Sequence, residues 1–115
     1  MCLFKELTGS ITDTFKQEIE AAIEADDTEE LLSVVIDIAL AGEDSIWAVG
    51  CLLELADHPN EGVRGNALIG MVHLVQRFPQ MDRSQILDRI RLAAEDPELH
   101  VREQAESALN ELMPS

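Results

Sequence analysis

One stretch of the chain occurs twice, and this repetition constrains the fold more than any other feature. Residues 56–71 align with residues 94–109 at a fixed offset of 38 positions. In each copy an acidic residue and a proline come first, and a Val-Arg pair then opens a segment whose apolar residues recur at helical spacing. The identical pairs include Ala56 and Ala94, Pro59 and Pro97, Val63 and Val101, Arg64 and Arg102, and Ala67 and Ala105. A copy at a fixed offset predicts a structural repeat.

The order of proline, three residues, Val-Arg, two residues and alanine resembles the second-helix signature of HEAT and HEAT-like repeats. In that family each unit is a pair of antiparallel helices, and successive units stack side by side. The offset of 38 residues is just below the roughly 40 to 47 residues of that class. The resemblance implies an all-α fold, specifically a short right-handed α-solenoid of about three antiparallel helix pairs. It specifies no function, because such repeats serve binding, scaffolding and adaptor roles alike.

Composition and spacing extend this prediction to the whole chain. With 115 residues, of which 46% are hydrophobic, residues 1–115 are expected to form one domain with an aliphatic core. The helix pairs are expected over about 11–41, 43–78 and 83–113. The last helix loses an apolar flank relative to its copy, so the last pair is predicted to be a polar end unit.

Helix boundaries follow from loop and capping residues. Helix 1 is expected to begin near Ile11, because Thr8-Gly9-Ser10 has a loop composition. Asp27 with Glu30, and Asp82 with Gln85, match the spacing of a capping box. Asp96 is predicted to cap the last helix, with Pro97 in its first turn.

Charge is the most informative part of the composition. The chain has 23 acidic and 8 basic side chains, a formal net charge of -15. Residues 1–61 hold 15 acidic and 2 basic residues, whereas residues 62–115 hold 8 and 6. This charge disfavours nucleic acid and anionic membranes as partners, and it attracts a basic protein. No apolar run is long enough for a transmembrane helix and no signal peptide is evident, so the expected location is the cytoplasm.

Residues that would carry catalysis or bind a metal were sought and not found in any known pattern. His58, His73 and His100 have no histidine or cysteine partner at metal-ligand spacing. Cys2 and Cys51 do not form a disulfide framework and are interpreted as an incidental thiol and a buried apolar residue. We therefore predict no catalytic residue, no metal and no cofactor.

The arginine of each repeat has a structural interpretation. In HEAT-like repeats the arginine of Val-Arg typically bonds to acids of the preceding turn. The resemblance therefore implies that Arg64 and Arg102 bond to Asp57 and Asp96. Binding of an anion by these arginines is the less favoured alternative.

The second helices of successive HEAT-like units line a concave face, and this family property gives the first candidate binding surface. Polar residues form a strip on helix 2, expected over about 28–41, and a matching strip on helix 4, expected after Pro59-Asn60 to about Phe78, at spacings of three and four residues. The predicted partner-binding residues are Glu30, Ser33, Asp37, Asn66, His73 and Arg77. Asp37 interrupts an apolar segment, and the favoured interpretation of this residue alone is an ordinary solvent-facing position. As a binding residue it would be partly buried against a cation of the partner and contribute most to specificity.

A second candidate surface is the acidic helix 1 and the turn that follows it. The acidic residues of this face are Glu18, Glu24, Asp26, Asp27 and Glu29. The sequence does not decide between this face and the concave groove.

Two function hypotheses from different classes remain. The first is a non-catalytic module that binds a basic protein; its small size and charge are similar to those of bacterial immunity proteins, which neutralise nuclease-type toxin domains. As such an inhibitor, it is expected to be a monomer when free. The second is a HEAT-like adaptor or scaffold subunit, whose unpartnered apolar residues would include Trp47, Ile69 and Val72. An enzyme is the third and least favoured hypothesis.

Overall fold

The protein is all-helical over the residues that its structure, a computed structural model, describes. The backbone is described for residues 3–113 and the side chains for residues 14–113. Within this part of the chain there are six α-helices and no strand. The helices are α1 (Leu3–Ala25), α2 (Thr28–Ala41), α3 (Ser45–Leu55), α4 (Glu61–Arg77), α5 (Ser84–Ala93) and α6 (Leu99–Leu112). The prediction of an all-α fold is confirmed. None of the described helices has both the length and the apolar character needed to cross a membrane.

Helix α1 begins earlier than the sequence suggested. It starts at Leu3 and continues through Thr8-Gly9-Ser10, so the predicted start near Ile11 is wrong. Glycine and serine inside a helix cost only about 1 kcal/mol or less each relative to alanine, which is too little to end a helix by itself. The helix ends at Asp26, whose φ of 56° lies in the left-handed region and whose N–H donates to the Ala22 carbonyl at 3.1 Å.

Side-chain caps fix the starts of α2, α3 and α4. The Asp27 carboxylate accepts the Glu29 N–H at 3.1 Å, and Asp44 accepts the Trp47 N–H at 3.1 Å. Asn60 accepts the N–H groups of the second and third residues of α4. The predicted cap at Asp27 is therefore confirmed, although within the described part of the chain Glu30 does not complete the capping box.

The predicted caps of α5 and α6 are wrong by one or two residues. Asp82 accepts the Ser84 N–H at 2.9 Å, and Asp96 accepts the Glu98 N–H at 2.9 Å. Each aspartate thus closes a short turn ahead of the helix and does not occupy its N-cap position. Pro97 precedes α6 and lies outside its first turn. Short-range hydrogen bonds of aspartate to the backbone compete with helix capping at neighbouring positions, which explains both errors.

The even-numbered helices form a row in which α4 lies between α2 and α6. Helix α3 packs against α2 and α4, α5 packs against α6 and α3, and α1 packs against α2. Gly70 lies where α4 approaches both α2 and α3. A Cβ placed at Gly70 would lie 3.3 Å from Leu52 Cδ2 and 3.4 Å from the Val35 carbonyl oxygen. The largest fully buried side chains include Leu31, Ile38, Leu52, Leu55, Leu68, Met71, Leu74, Ile86 and Ile90.

The outer flank of α6 is polar, as predicted. Glu106, Ser107 and Asn110 replace the apolar Leu68, Ile69 and Val72 of the first copy, and all three are exposed. This flank therefore has no apolar surface that would call for another helix beside it.

Candidate protein-binding groove

The arginines of the repeat join successive turns. Arg64 makes a bidentate pair with Asp96, at 2.9 Å from Nε and 3.0 Å from Nη2. Its Nη1 also donates to the carbonyl oxygens of His58 and Pro59, at 3.0 and 2.8 Å. Arg102 donates to the Asp96 carbonyl oxygen at 2.8 Å, which repeats the Arg64 to His58 bond 38 residues later. The side chain of Arg64 therefore ties the turn before α4 to the turn before α6.

The bond expected between Arg64 and Asp57 is not made. Asp57 instead accepts from Arg89 Nη2 at 2.8 Å, and Arg89 also donates to the Ala56 carbonyl at 2.6 Å. The turn residue that receives Arg64 is Asp96, one repeat later. The error arises because a turn-to-turn bond between units cannot be distinguished in sequence from a bond within one unit.

The Asp96 carboxyl is held in its charged form. Burial raises its pKa, but hydrogen bonds from the Arg64 side chain and from the Glu98 N–H outweigh burial, and the net pKa of Asp96 is lowered. At the preceding turn, His58 Nε2 lies 2.5 Å from Asp26 Oδ1. His58 and Asp96 therefore occupy the same position of successive turns, and each bonds to a residue of the preceding unit.

Glu98, beside this pair, is in a repulsive environment. The neighbouring Glu61 carboxyl raises the pKa of Glu98, first through a shared hydrogen bond and then through its charge. A carboxyl whose pKa is raised on folding is least favourable to stability when it is ionised, at neutral pH, and this penalty is lost as pH falls through its folded-state pKa.

We therefore expect Glu98→Gln to raise the melting temperature at pH 7. The gain should shrink as pH is lowered, because the wild-type carboxyl then takes up a proton and resembles the glutamine. Thermal unfolding of both proteins between about pH 3 and pH 8 measures this difference across the ordinary titration range of carboxyls. The matched control is Glu103→Gln on exposed α6 surface, and an equal gain from both variants would contradict the explanation.

The residues of the predicted concave strip lie in different environments in the structure. On α4, Asn66 Nδ2 donates to the Leu32 carbonyl of α2 at 3.0 Å. Arg77 Nη1 donates to the carbonyls of Ala39 and Gly42, both at 2.8 Å. These two side chains therefore join α4 to α2. His73 is exposed and borders a small cavity of about 100 Å³ between α4 and α6.

The strip on α2 faces solvent. Glu30, Ser33 and Asp37 are all exposed, and Ser33 Oγ donates to the Glu30 carbonyl at 3.0 Å. Asp37 does not have the apolar surroundings that its neighbours in sequence suggested. Its neighbours turn toward the core and leave the carboxylate outside, as helical periodicity allows.

The predicted acidic face also separates into two groups. Asp26 and Asp27 form the turn after α1, where one bonds to His58 and the other caps α2. Glu18, Glu24 and Glu29 are exposed. Only Glu24 among the predicted acidic residues borders a sizeable cavity of the described structure.

That cavity is a groove of about 620 Å³ between α1 and α3, which we call the α1–α3 groove. It combines carboxylates with apolar side chains. Its lining residues are Glu20, Ile23, Glu24, Trp47, Gly50, Cys51 and Glu54. Carboxylates come from both helices, so the groove has acidic groups on its two sides and apolar groups between them.

Trp47 is fixed in this groove by contacts with α1. Its indole N–H donates to Glu20 at 3.0 Å, and its ring meets the Phe15 ring edge-on at 5.8 Å between centroids. Lys16 Nζ lies 5.6 Å from the centroid of the Trp47 ring and 2.8 Å from the Asp44 carboxylate. Trp47 therefore has internal partners, and only part of its surface remains open to the groove.

The pKa of the Cys51 thiol is raised by its surroundings in the groove. Burial, followed by the charges of Glu20 and Glu54, raises the pKa of Cys51 to about 11. Cys51 is buried, as predicted, and is kept in its neutral form. Cys2 lies outside the described residues.

Glu54 and Glu20 were not among the predicted site residues. Both could have been found by helical spacing. Glu20, Ile23 and Glu24 lie three and four residues apart on α1, and Trp47, Gly50, Cys51 and Glu54 follow the same spacing on α3. What the sequence could not provide is that these two strips face each other.

Comparison of the chain with protein-family models, with curated proteins and with solved structures found no match.

Proposed function

We propose that this protein is a non-catalytic binding module that engages a basic protein through its acidic first half. We further propose that its helices form a short right-handed α-solenoid of antiparallel, HEAT-like pairs. The row of α2, α4 and α6 supports this arrangement, as does the recurrence of the Arg64 to His58 bond in Arg102 and Asp96. A stack of pairs provides a rigid frame on which surface charges hold fixed positions.

The observation that carries the proposal is the unbalanced negative charge of the first half of the chain, part of which lies at the α1–α3 groove. Most of the described cations are already engaged inside the protein: Arg64 with Asp96, Arg77 with carbonyls of α2, Arg89 with Asp57, and Arg102 with the turn before α6. Within the described part of the chain, Glu24 and Glu54 at the groove have no such internal partner. A surface with excess negative charge of fixed geometry attracts a cationic partner and orients it during the encounter.

Within this class we propose an immunity-type inhibitor that neutralises a nuclease-type toxin domain in a bacterial cytoplasm. Nuclease domains are basic because they bind nucleic acid, so a net charge of -15 on 115 residues complements them. On this proposal the free protein is a monomer, and binding requires no cofactor or metal.

The test begins with the neighbouring genes. A large secreted protein with a basic C-terminal domain, encoded next to this chain, would supply the candidate partner, and that domain is titrated calorimetrically. We expect binding that weakens by about tenfold or more between about 0.05 M and 0.5 M sodium chloride, because salt screens steering charges. A generic basic protein such as cytochrome c is the control for non-specific attraction. An affinity that does not change with salt would contradict the proposal.

One observation favours the alternative of an adaptor or scaffold subunit. Ile46 is 85% exposed and borders a second cavity, of about 360 Å³, which is also lined by Val49 and Met81. Of the residues first considered for assembly, Trp47 has internal partners and Val72 is buried. The light-scattering mass of the isolated protein separates the two functions, since a stable oligomer supports assembly and a monomer supports a free inhibitor.

A further inference from the structure

We propose that the α1–α3 groove is the docking site for an arginine side chain that lies next to an apolar side chain on an exposed segment of the partner. This inference rests on the proposed function, because it specifies which chemistry of a basic protein the groove recognises. Glu20, Glu24 and Glu54 supply the charge, and Ile23 and Trp47 supply the apolar contact.

The charge of the groove is complementary to a single cation. Within the described part of the chain, Glu24 and Glu54 have no hydrogen-bond or ion-pair partner, and Glu20 is bonded through one oxygen to the Trp47 indole. Glu20 and Glu24 also lie one helical turn apart, so their charges repel each other. A guanidinium group placed between the two helices would relieve this repulsion and donate hydrogen bonds to carboxylates on both sides, which suits its planar array of five donors.

The floor of the groove has room for the stem of such a side chain. Gly50 lies at this floor, and a Cβ built there would meet no heavy atom within 4 Å. Ile23 and the open face of Trp47 border the same space. The methylene groups of arginine pack on apolar surface while the charged end reaches carboxylates, and the guanidinium plane stacks on aromatic rings. The apolar residue beside the arginine would cover the remainder of this floor.

Two other cavities of the described structure fit this ligand less well. The cavity next to Ile46 contains one carboxylate, Asp82, which already accepts two bonds from Ser84. The cavity between α4 and α6 measures only about 100 Å³, and its carboxylate, Glu111, accepts a bond from Gln76 at 3.1 Å. Of these three cavities, the α1–α3 groove alone joins carboxylates from two helices to an open apolar floor.

The experiment uses a short peptide as the probe and Trp47 as the reporter. The chain has one Trp, so its NMR spectrum has a single indole N–H resonance, and that group lies at the groove. The probe is an acetylated and amidated pentapeptide with one arginine between two leucines. The matched control peptide has citrulline, which is similar in shape and uncharged, in place of arginine. We expect the arginine peptide to shift the indole resonance saturably. The citrulline peptide should bind at least about tenfold more weakly.

Variants of the protein test whether the peptide binds in the α1–α3 groove. Glu24→Gln and Glu54→Gln are each expected to weaken the arginine peptide by about fivefold to tenfold, the scale for losing one partner of a charge-assisted contact. Gly50→Leu should fill the floor and abolish the shift, and its circular dichroism should match that of the wild type because the position is open. Glu106→Gln, on the far side of α6, should bind the peptide like the wild type.

Two results would overturn the inference: an arginine peptide that binds no better than the citrulline peptide, or groove variants that bind it as the wild type does. Neither result bears on the proposed function, which is decided separately by the salt dependence of binding to the basic toxin-type domain. The basic domain could also bind with strong salt dependence and bind the Gly50→Leu variant as tightly as the wild type. That result would contradict docking at the groove and leave the proposed function in place.

Discussion

Arg64→Ala is expected to lower the free energy of unfolding by about 3 kcal/mol, the scale for removing one partner of a buried ion pair. The side chains of Arg64 and Asp96 are only 14% and 9% exposed. The variant leaves the Asp96 carboxylate without its bidentate partner, and it leaves the carbonyl groups of His58 and Pro59 without a donor. Urea denaturation at pH 7 measures the loss.

Arg102→Ala is the matched control, because Arg102 repeats only one of these bonds, to the Asp96 carbonyl oxygen. Its expected cost is about 1 kcal/mol, typical of one hydrogen bond. The folded-state pKa of Asp96 is lowered, so the stabilisation it provides is present at neutral pH and is lost as pH falls through that pKa. The difference between Arg64→Ala and the wild type should therefore be constant near pH 7 and decrease in acid. Equal costs for the two arginines would contradict a turn-to-turn role for Arg64.

Leu52→Ala is expected to destabilise the protein by a similar amount, about 3 kcal/mol, as for other fully buried leucines. Leu52 is 0% exposed. Its Cδ2 contacts α4 at Gly70, where α4 also approaches α2, so the cavity would open at the junction of three helices. Leu40→Ala, the same change on a side chain that is 57% exposed, should cost less than about 0.5 kcal/mol. Comparable losses from both variants would contradict the packing of α3 on α4.

The parts of the fold that the sequence predicted are those set by local rules. Pro59, Asn60 and the Val-Arg pair mark the start of α4, and alternating apolar residues predict which face is buried. The same rules failed for α1, because a glycine and a serine were treated as a helix boundary although their unfavourable helix propensities are small. They also failed for Asp82 and Asp96, which close turns ahead of their helices. In these cases two local hydrogen-bonding patterns of similar energy compete.

The candidate site was predicted less well, and the reason is geometric. Periodicity identifies the polar strip of each helix but not the element that it faces. Asn66 and Arg77 therefore looked like partner-binding residues, although they bond to carbonyl groups of α2. Asp37 is exposed, as its favoured interpretation had it, but its apolar neighbours in sequence also made it look like a site for a desolvated partner cation. Glu54 was overlooked because a single acid on α3 has meaning only when α1 brings Glu20 and Glu24 opposite to it.

The central claim is that a basic partner binds at the α1–α3 groove and not along the α2 strip. The direct measurement compares two double variants of equal charge change, Glu24→Gln with Glu54→Gln, and Glu30→Gln with Asp37→Asn, against the basic domain that binds in the salt titration. All proteins should first show the same circular dichroism and similar melting. We predict that the groove pair weakens binding by about tenfold or more and the strip pair by less than about threefold. All four side chains are exposed, but only Glu24 and Glu54 lie on two helices around one apolar floor where a single cation can contact both. A large loss from the strip pair with no loss from the groove pair would contradict the account.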